Sequence, residues 1–278
     1  MKDVIGPDKD IPAPDVGTSP REMDWIADEF SKISDHEHPN AVVTGKTIPA
    51  GGSLGRGSAT ADGGCFIFQD LRGKMGLGKD LNVAIQGFGN AGKIAAEHFF
   101  HDGYNVVAVS DSKGGIYNDE GLDIGAVINH KDETRSVVDF PGAKNISQEE
   151  LLAVQCDVLV PAALENQLTK KNAAEVKAKV VIELANGPTT PEADDILFKN
   201  EVAIIPDILA NAGGVTVSYF EWEQNMHETT WSEEQVRGQL EETLTAAFDA
   251  VWKKKEELKC DMRRAAFVVA IERIEQVL

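Results

Sequence analysis

The clearest chemical signal in the chain is a glycine-rich motif, Gly87-Phe88-Gly89-Asn90-Ala91-Gly92. The motif follows an apolar run directly and opens a helical pattern, which is the setting in which such glycines bind a dinucleotide. Gly87 permits the tight turn, Gly89 lets the backbone approach a pyrophosphate, and Gly92 allows the helix to pack closely on the strand. The helix N-terminus would face the phosphates. We therefore expect a dinucleotide site here, the alternative being a merely tight turn between strand and helix.

A polar cluster, Asp111-Ser112-Lys113, ends the next apolar run. An acidic residue at this place meets the ribose hydroxyls of NAD, so Asp111 makes the sequence lean toward NAD. Ser112 and Lys113 could instead hold the additional phosphate of NADP, and the choice stays open. For Lys113 the alternative is an ordinary solvated strand end.

Two other patterns do not predict sites. Residues 73–79 have the glycine and lysine spacing of a phosphate-binding P-loop, but Asp80 stands where Ser or Thr should hold magnesium, and the segment leads into a strand. The His36-Glu37-His38 cluster lacks the i, i+4 spacing of a zinc pair on a helix. We expect no metal site.

These candidate residues are embedded in an alternation of strands and helices. Five short, continuously apolar runs have strand length: 83–85, 106–109, 158–160, 180–182 and 202–205. Such β-branched runs separated by helices are what a parallel sheet covered on both faces requires. The pattern predicts an α/β protein with a Rossmann-like, doubly wound, mostly parallel sheet, flanking helices and a C-terminal helical segment.

Helical patterns stand on either side of the sheet segment. Ser19, Pro20 and Glu22 form a helix-start signature, followed by the apolar positions Met23, Ile26, Phe30 and Ile33. After Asn211 the strands stop, and Ser232 opens a long helix carrying Val236, Leu240, Leu244, Phe248 and Val251. A last helix begins at about Met262. We expect three regions, with 1–40 the remnant of another domain, 41–225 the dinucleotide-binding domain and 226–278 C-terminal helices that fold back toward the first.

Composition restricts the partners. The 278 residues carry a formal charge of -19, which argues against nucleic acid or an anionic membrane surface as a partner. The three cysteines are odd in number and far apart, so neither a disulfide framework nor a zinc site is indicated. The sequence shows no membrane-spanning run and no secretory signal at its start, and a reducing cytoplasm is the expected location.

Taken together, the motifs resemble those of a known enzyme family. They are the Pro12-Ala13-Pro14-Asp15 segment before a capped helix, residues 51–56 with Ala59-Thr60, the Gly87 motif, residues 185–193, and residues 211–215 with 218–222. This ordered set resembles the glutamate dehydrogenases of the Glu/Leu/Phe/Val dehydrogenase family over nearly the whole chain. The resemblance implies NAD(P)-dependent, reversible oxidative deamination of L-glutamate to 2-oxoglutarate and ammonia by hydride transfer.

The same resemblance implies roles for individual residues. Asp15 would shuttle protons as the catalytic acid and base, a task that partial burial would help by raising its pKa; taken by itself, it is a loop aspartate in a turn. Thr60 and Asn211 would hold the nicotinamide end, Asn90 and Ala91 would lie along the pyrophosphate, and Asn186 with Ala185 would contact the cofactor near the ribose. The remaining residues, Ser218, Val215 and Arg56, would form the substrate pocket, although a lone Ser218 on a helix is more often a packing residue.

Some positions depart from the family pattern. Family members carry a domain before the Pro-Ala-Pro-Asp segment whose lysines bind the substrate carboxylates, whereas only Lys2 and Lys9 precede Asp15. We therefore expect this chain alone to bind glutamate poorly, to be a monomer or weak dimer although full-length relatives are homo-oligomers, and to leave part of the Val236, Leu240 and Leu244 stripe uncovered. Asp62 adds a negative charge near the expected cofactor site.

Two alternatives to an active glutamate dehydrogenase stay open at the level of the sequence. One is a catalytically inactive dinucleotide-binding fragment or subunit. The other is a leucine, phenylalanine or valine dehydrogenase, which Ser218 and Glu221-Trp222 disfavour.

Overall fold

The computed structural model describes residues 4–15 and 17–278. Its helices are α1 Pro20–Ile33, α2 Ala59–Met75, α3 Asn90–His101, α4 Ile124–Thr134, α5 Gln148–Leu152, α6 Pro191–Lys199, α7 Asp207–Ala210, α8 Gly213–Met226, α9 Glu233–Leu258 and α10 Met262–Glu275. Short 3-10 helices span Pro39–Val42, Ile48–Ala50 and Ala173–Glu175. The strands are β1 Asn82–Gln86, β2 Asn105–Asp111, β3 Gly114–Tyr117, β4 Lys144–Ile146, β5 Val158–Pro161, β6 Val180–Ile182 and β7 Ala203–Ile205.

The strands form one mostly parallel sheet in the order β4-β3-β2-β1-β5-β6-β7. The five neighbouring strands β2, β1, β5, β6 and β7 are parallel. Strands β3 and β4 pair antiparallel at the edge beside β2. Helices α3 and α5 pack against β1 and β2, and α10 packs against β7. The predicted Rossmann-like α/β architecture is confirmed.

All five predicted strands are present, but β3 and β4 were not predicted. Gly114-Gly115 in β3 and Lys144-Asn145 in β4 have low β-propensity. These strands form because backbone groups at the sheet edge pair with them, for example Asp111 opposite Gly114. Tertiary pairing therefore overrides a weak local preference there.

The chain divides into two compact units. One comprises Met1–Ala59 and Gly213–Glu242, and the other Thr60–Ala212 and Thr243–Leu278. These units do not follow the boundaries that we expected after residues 40 and 225. The reason is visible in the hydrogen bonds, because Glu221 of α8 accepts from the backbone of Gly45 and Lys46, and Asn225 donates to the Gly51 carbonyl.

The first unit is organised around α1. Its apolar face buries Met23, Ala27 and Phe30 against Val42 and Val43. The start signature also forms as predicted, since the backbone N–H of Ser19 donates to the Glu22 carboxylate at 2.7 Å. Sequence periodicity was sufficient for this element.

The long helix α9 carries the predicted apolar stripe, but the stripe is covered. Val236, Leu240 and Leu244 are each at most 2% exposed. Our expectation that part of this stripe lies open is therefore wrong for this structure. Within the described part of the chain, every helix falls short of the length or the apolar content that crossing a membrane requires.

Candidate functional site

The glycine turn after β1 is held by close backbone contacts. Gly87 has a φ of +96°, and a Cβ built on it would lie 2.7 Å from the carbonyl oxygen of Ala162. A Cβ on Gly92 would lie 1.8 Å from the carbonyl oxygen of Gly87. Both positions therefore exclude any larger residue by packing alone.

Gly89 differs from these two glycines. A Cβ at Gly89 would meet no protein atom within 4 Å, and the residue is exposed. It is the N-cap of α3, which has no side-chain cap at this end. The first amides of a 12-residue helix are therefore available to an anion, and the open space over Gly89 lets that anion approach the backbone.

The turn lies where open α/β sheets bind ligands. β1 pairs with β2 on one side and with β5 on the other, although three strands separate β1 from β5 along the chain. Gly87 follows the carboxyl end of β1, and Ala162 follows that of β5. This is a topological switch point, where a crevice forms outside the strand ends. The residues present therefore fit a dinucleotide.

Asp111 at the end of β2 is engaged within the protein. Its side chain is 7% exposed, and its carboxylate accepts from the backbone N–H of Val137 at 2.7 Å and of Lys113 at 2.9 Å. The Ser136 hydroxyl donates to the same carboxylate at 3.3 Å. Asp111 thus secures the turn, whereas Ser112 and Lys113 are exposed.

Beside Asp111 lies a lysine that no motif indicated. Lys131 of α4 donates from Nζ to the Phe88 carbonyl at 2.6 Å, and the same Nζ is 3.8 Å from Asp111 Oδ2. The ammonium also stands 5.5 Å from the centre of the Phe88 ring. A cation is therefore held between the glycine turn and the end of β2.

Two of the predicted asparagines meet at the same edge of the sheet. Asn211 Nδ2 donates to Asn186 Oδ1 at 2.7 Å and to the Leu184 carbonyl at 3.4 Å. Ala185 N donates to the Pro161 carbonyl at 3.0 Å, which fixes the start of this loop on β5. Thr60 is half-buried in the first turn of α2.

Asp62, also in the first turn of α2, has a partner inside the unit. Its carboxylate lies 2.8 Å from His98 Nε2, and its side chain is 7% exposed. The Asp62 carboxylate, whose charge we expected near the cofactor, therefore contacts His98 of the neighbouring helix α3.

The first unit brings two predicted substrate residues together. Arg56 Nε donates to Ser218 Oγ at 3.1 Å. Burial lowers the pKa of Arg56, and the charge of Glu221 opposes that shift. Val215, one turn before Ser218 on α8, is 70% exposed. The arrangement presents a guanidinium, a hydroxyl and an apolar side chain.

Asp15 lies in a local turn. Its backbone carbonyl accepts from both the backbone N–H and the hydroxyl of Thr18, each at 3.0 Å. The residue is exposed, so the partial burial that would suit an acid or base is not present in this structure. Among residues 4–15 and 17–278, no group of three or more His, Cys, Asp or Glu side chains is arranged to hold a metal ion.

Comparison with known proteins decides the family. The model of the Glutamate/Leucine/Phenylalanine/Valine dehydrogenase family matches residues 51–278, and that of the family's dimerisation domain matches residues 1–32. The chain belongs to the Glu/Leu/Phe/Val dehydrogenase family. The resemblance expected from the five motifs is confirmed.

Individual relatives of this dehydrogenase chain are glutamate dehydrogenases. The NADP-specific glutamate dehydrogenase of Synechocystis is 47% identical over 288 residues, covering 100% of this chain and 67% of the relative. The hetero-hexameric enzyme of Thermus thermophilus, solved with leucine bound, has a TM-score of 0.92 at 35% identity, covering 100% of this chain and 66% of that one. The Peptoniphilus asaccharolyticus enzyme has a TM-score of 0.86 at 33% identity, with coverage of 99% and 66%.

The dehydrogenase chain thus spans about two thirds of the length of these relatives. The comparisons support a nicotinamide dinucleotide in general but do not support the lean toward NAD, since the Synechocystis relative is NADP-specific. Sequence reasoning also missed Lys131, which lies 20 residues beyond Asp111 in an ordinary helical pattern. A basic residue on the helix that follows the β2 end was the available signal.

Proposed function

We propose that this chain works in an NADP-dependent glutamate dehydrogenase, which converts L-glutamate reversibly to 2-oxoglutarate and ammonia. The observation that carries the proposal is the 47% identity to an NADP-specific glutamate dehydrogenase over the whole chain. The glycine turn supports it, because Gly89 leaves its backbone uncovered where a phosphate would approach.

In the proposed nucleotide site, Gly89, Asn90 and Ala91 hold the pyrophosphate through backbone amides at the start of α3. Asn211 and Thr60 bind the nicotinamide end, because an amide side chain offers both donors and acceptors to a carboxamide. Asn186, which accepts a hydrogen bond from Asn211, contacts the cofactor near the adjoining ribose. When bound, the nicotinamide supplies the hydride acceptor for the oxidation. The task of these residues is to fix its position.

We infer NADP rather than NAD from the charges near the end of β2. Both carboxylate oxygens of Asp111 already accept hydrogen bonds from backbone amides, so they are less able to accept hydrogen bonds from ribose hydroxyls. Lys131 holds an ammonium 3.8 Å from that carboxylate, and Ser112 and Lys113 are exposed beside it. Two cations and a hydroxyl suit a phosphate better than a neutral ribose.

For the substrate, we propose that Arg56 and Ser218 bind a carboxylate of glutamate and that Val215 contacts its methylene groups. The 3.1 Å hydrogen bond between Arg56 and Ser218 uses one of the five guanidinium N–H donors, so others can serve a carboxylate. Asp15 is the proposed proton carrier for the substrate amine. Its role requires a less solvated setting than the exposed one observed here.

Assembly and location belong to the same proposal. The match of residues 1–32 to a dimerisation domain and the hexameric state of the Thermus thermophilus relative favour an oligomer over a monomer. The three widely separated cysteines suit a reducing cytoplasm.

Calorimetric titration with NADPH and NADH, followed by 2-oxoglutarate and ammonium in a turnover assay, tests the proposed function. We expect tighter binding of NADPH and oxidation of NADPH that depends on 2-oxoglutarate. Binding of NADPH without turnover, with activity restored by a second polypeptide, would support the subunit alternative. Failure to bind either nucleotide would remove the proposal, and faster deamination of leucine than of glutamate would change the substrate.

A further inference from the structure

Arg263, in the first turn of α10, contacts carboxylates from three other elements. Its Nη2 donates to Glu183 Oε1 at 2.6 Å and to Asp194 Oδ1 at 3.1 Å, and its Nε donates to Asp194 Oδ2. Its Nη1 donates to Asp207 Oδ1 at 3.1 Å. Glu183 follows β6, Asp194 lies in α6 and Asp207 begins α7. One guanidinium therefore joins three segments of the second unit to α10.

The cluster is buried enough for its charges to matter. The Glu183 side chain is fully buried, and those of Arg263, Asp194 and Asp207 are 18%, 17% and 24% exposed. Burial raises the pKa of Glu183, and hydrogen bonds from Arg263 oppose that shift. Burial likewise raises the pKa of Asp194 against the same arginine. Three neighbouring carboxylates would repel one another without this cation.

The cluster continues directly to the asparagine pair. Asp207 Oδ2 accepts from the backbone N–H of Gly187 at 2.8 Å, which fixes the residue after Asn186. The Asp207 carbonyl accepts from the backbone N–H of Asn211 at 3.0 Å. Glu183 Oε2 in turn accepts from Asp207 N at 2.8 Å. Asp207 thus holds both asparagine segments, and Arg263 holds Asp207.

We propose that Arg263 is a positioning residue for the nicotinamide end of the nucleotide site, acting through Asp207 on Asn186 and Asn211. This inference rests on the proposed function, which assigns Asn211 to the nicotinamide and Asn186 to the adjoining ribose. A planar guanidinium suits the role because its donors diverge toward three carboxylates at once, whereas a lysine ammonium is a single point charge.

The adjacent Arg264 provides a matched control. It donates to Asp195 Oδ1 at 2.7 Å and to Asp261 Oδ2 at 2.8 Å, and it is 57% exposed. Neither of these contacts involves the asparagine segments. Arg263→Gln and Arg264→Gln therefore remove the same charge from adjacent positions of one helix with different predicted results.

The test compares two ligands on the full chain by calorimetry. NADPH reaches the nicotinamide end, whereas adenosine 2′,5′-bisphosphate occupies only the adenosine end. We expect Arg263→Gln to weaken NADPH binding by about tenfold and leave bisphosphate binding unchanged, as for a local coupling between contacting groups. Arg263→Lys should recover part of the loss, and Arg264→Gln should change neither ligand.

A general structural role would give a different result, because it would weaken both ligands equally. Equal weakening, no weakening, or the same loss in Arg264→Gln would overturn the inference. If circular dichroism shows that Arg263→Gln does not fold, Asp207→Asn decides by the same comparison, since it removes the charge that Arg263 pairs with and one of the two oxygens that accept from Gly187, Ile208 and Arg263. Failure of the unaltered chain to bind NADPH would instead contradict the proposed function.

Discussion

Three glycines in the turn after β1 are required for different reasons. At Gly87 and Gly92 the protein backbone leaves no room for a side chain, since added Cβ atoms would lie 2.7 Å and 1.8 Å from carbonyl oxygens. Gly89 has no such neighbour. Packing within the protein therefore does not explain this glycine, whereas the proposed function does, because a pyrophosphate would approach the backbone there.

Gly89→Ala tests this difference. The added methyl group occupies the space over the helix amides, and overpacking of about 1–3 kcal/mol corresponds to a loss in NADPH affinity of about 5- to 150-fold. The free energy of unfolding should fall by less than about 1 kcal/mol, as for an N-cap change. Calorimetry and urea unfolding measure the two effects. Gly73→Ala, another glycine without neighbours within 4 Å, is the control and should leave NADPH binding unchanged.

Lys131→Met tests the inferred preference for NADP. Removing an ammonium that serves a phosphate costs about 1.5–3 kcal/mol, so NADPH affinity should fall at least about tenfold. NADH affinity should stay nearly constant, and the ratio of the two dissociation constants is the measurement. Lys171→Met, an exposed lysine on the loop after β5, should preserve the ratio. An equal loss for both nucleotides would mean that Lys131 only supports the Phe88 carbonyl.

At the scale of single elements, α1 has a start that depends on one carboxylate. Glu22 accepts from the Ser19 backbone at 2.7 Å and from the Ser19 hydroxyl at 2.5 Å. The Ser19 hydroxyl, followed by Arg21, lowers the pKa of Glu22 from 4.5 to about 2. A depressed carboxyl pKa stabilises the folded state above the unfolded pKa. The contribution is therefore complete above pH 4.5 and is lost as the pH falls toward 2.

Glu22→Gln should accordingly be less stable than the unaltered chain at pH 6. The difference in free energy of unfolding should shrink below pH 4.5 and disappear near pH 2. Urea titrations at a series of pH values measure it. Glu29→Gln, on the same helix but 3.7 Å from Lys32 and outside the cap, is the comparison. A difference between Glu22→Gln and the unaltered chain that does not vary with pH would contradict the assignment of the cap.

The secondary-structure elements also differ in how well they can be predicted from the sequence. Short apolar runs and a capping signature were enough for β1, β2 and α1, because burial and local hydrogen bonds decide those elements. Strands β3 and β4 depend on pairing at the sheet edge, which no local pattern records. Arg263 meets partners 56 to 80 positions away, so its cluster has no spacing to detect. The Gly87 motif could be recognised because its three glycines lie within six consecutive residues.

At the scale of the whole molecule, the discontinuous first unit is joined by a buried ion pair. Lys46 Nζ donates to Glu221 Oε1 at 2.7 Å and to the Val43 carbonyl at 2.6 Å. Both charged side chains are fully buried. The pair links the segment before the sheet to helix α8 after it.

Lys46→Met should therefore affect this unit strongly. Leaving Glu221 buried without its cation costs about 3–5 kcal/mol in free energy of unfolding. Hydrogen exchange should quicken at the Gly45 and Lys46 amides, which donate to Glu221, while amides in β1 and β5 keep their protection. Lys32→Met, which removes an exposed ion pair, should change neither. Equal acceleration in the sheet would show that the two units unfold together.

The distance along the chain between Lys46 and Glu221 also has a consequence during synthesis. The two residues are 175 positions apart, which corresponds to roughly 9–35 s of translation at about 5–20 residues per second. Every strand that the structure describes lies in that interval, between Asn82 and Ile205. The strands of the sheet can pair while Lys46 still lacks Glu221 of α8, its partner in the ion pair. The segment around Lys46 is thus synthesised before the sheet but completed after it, once Glu221 has been made.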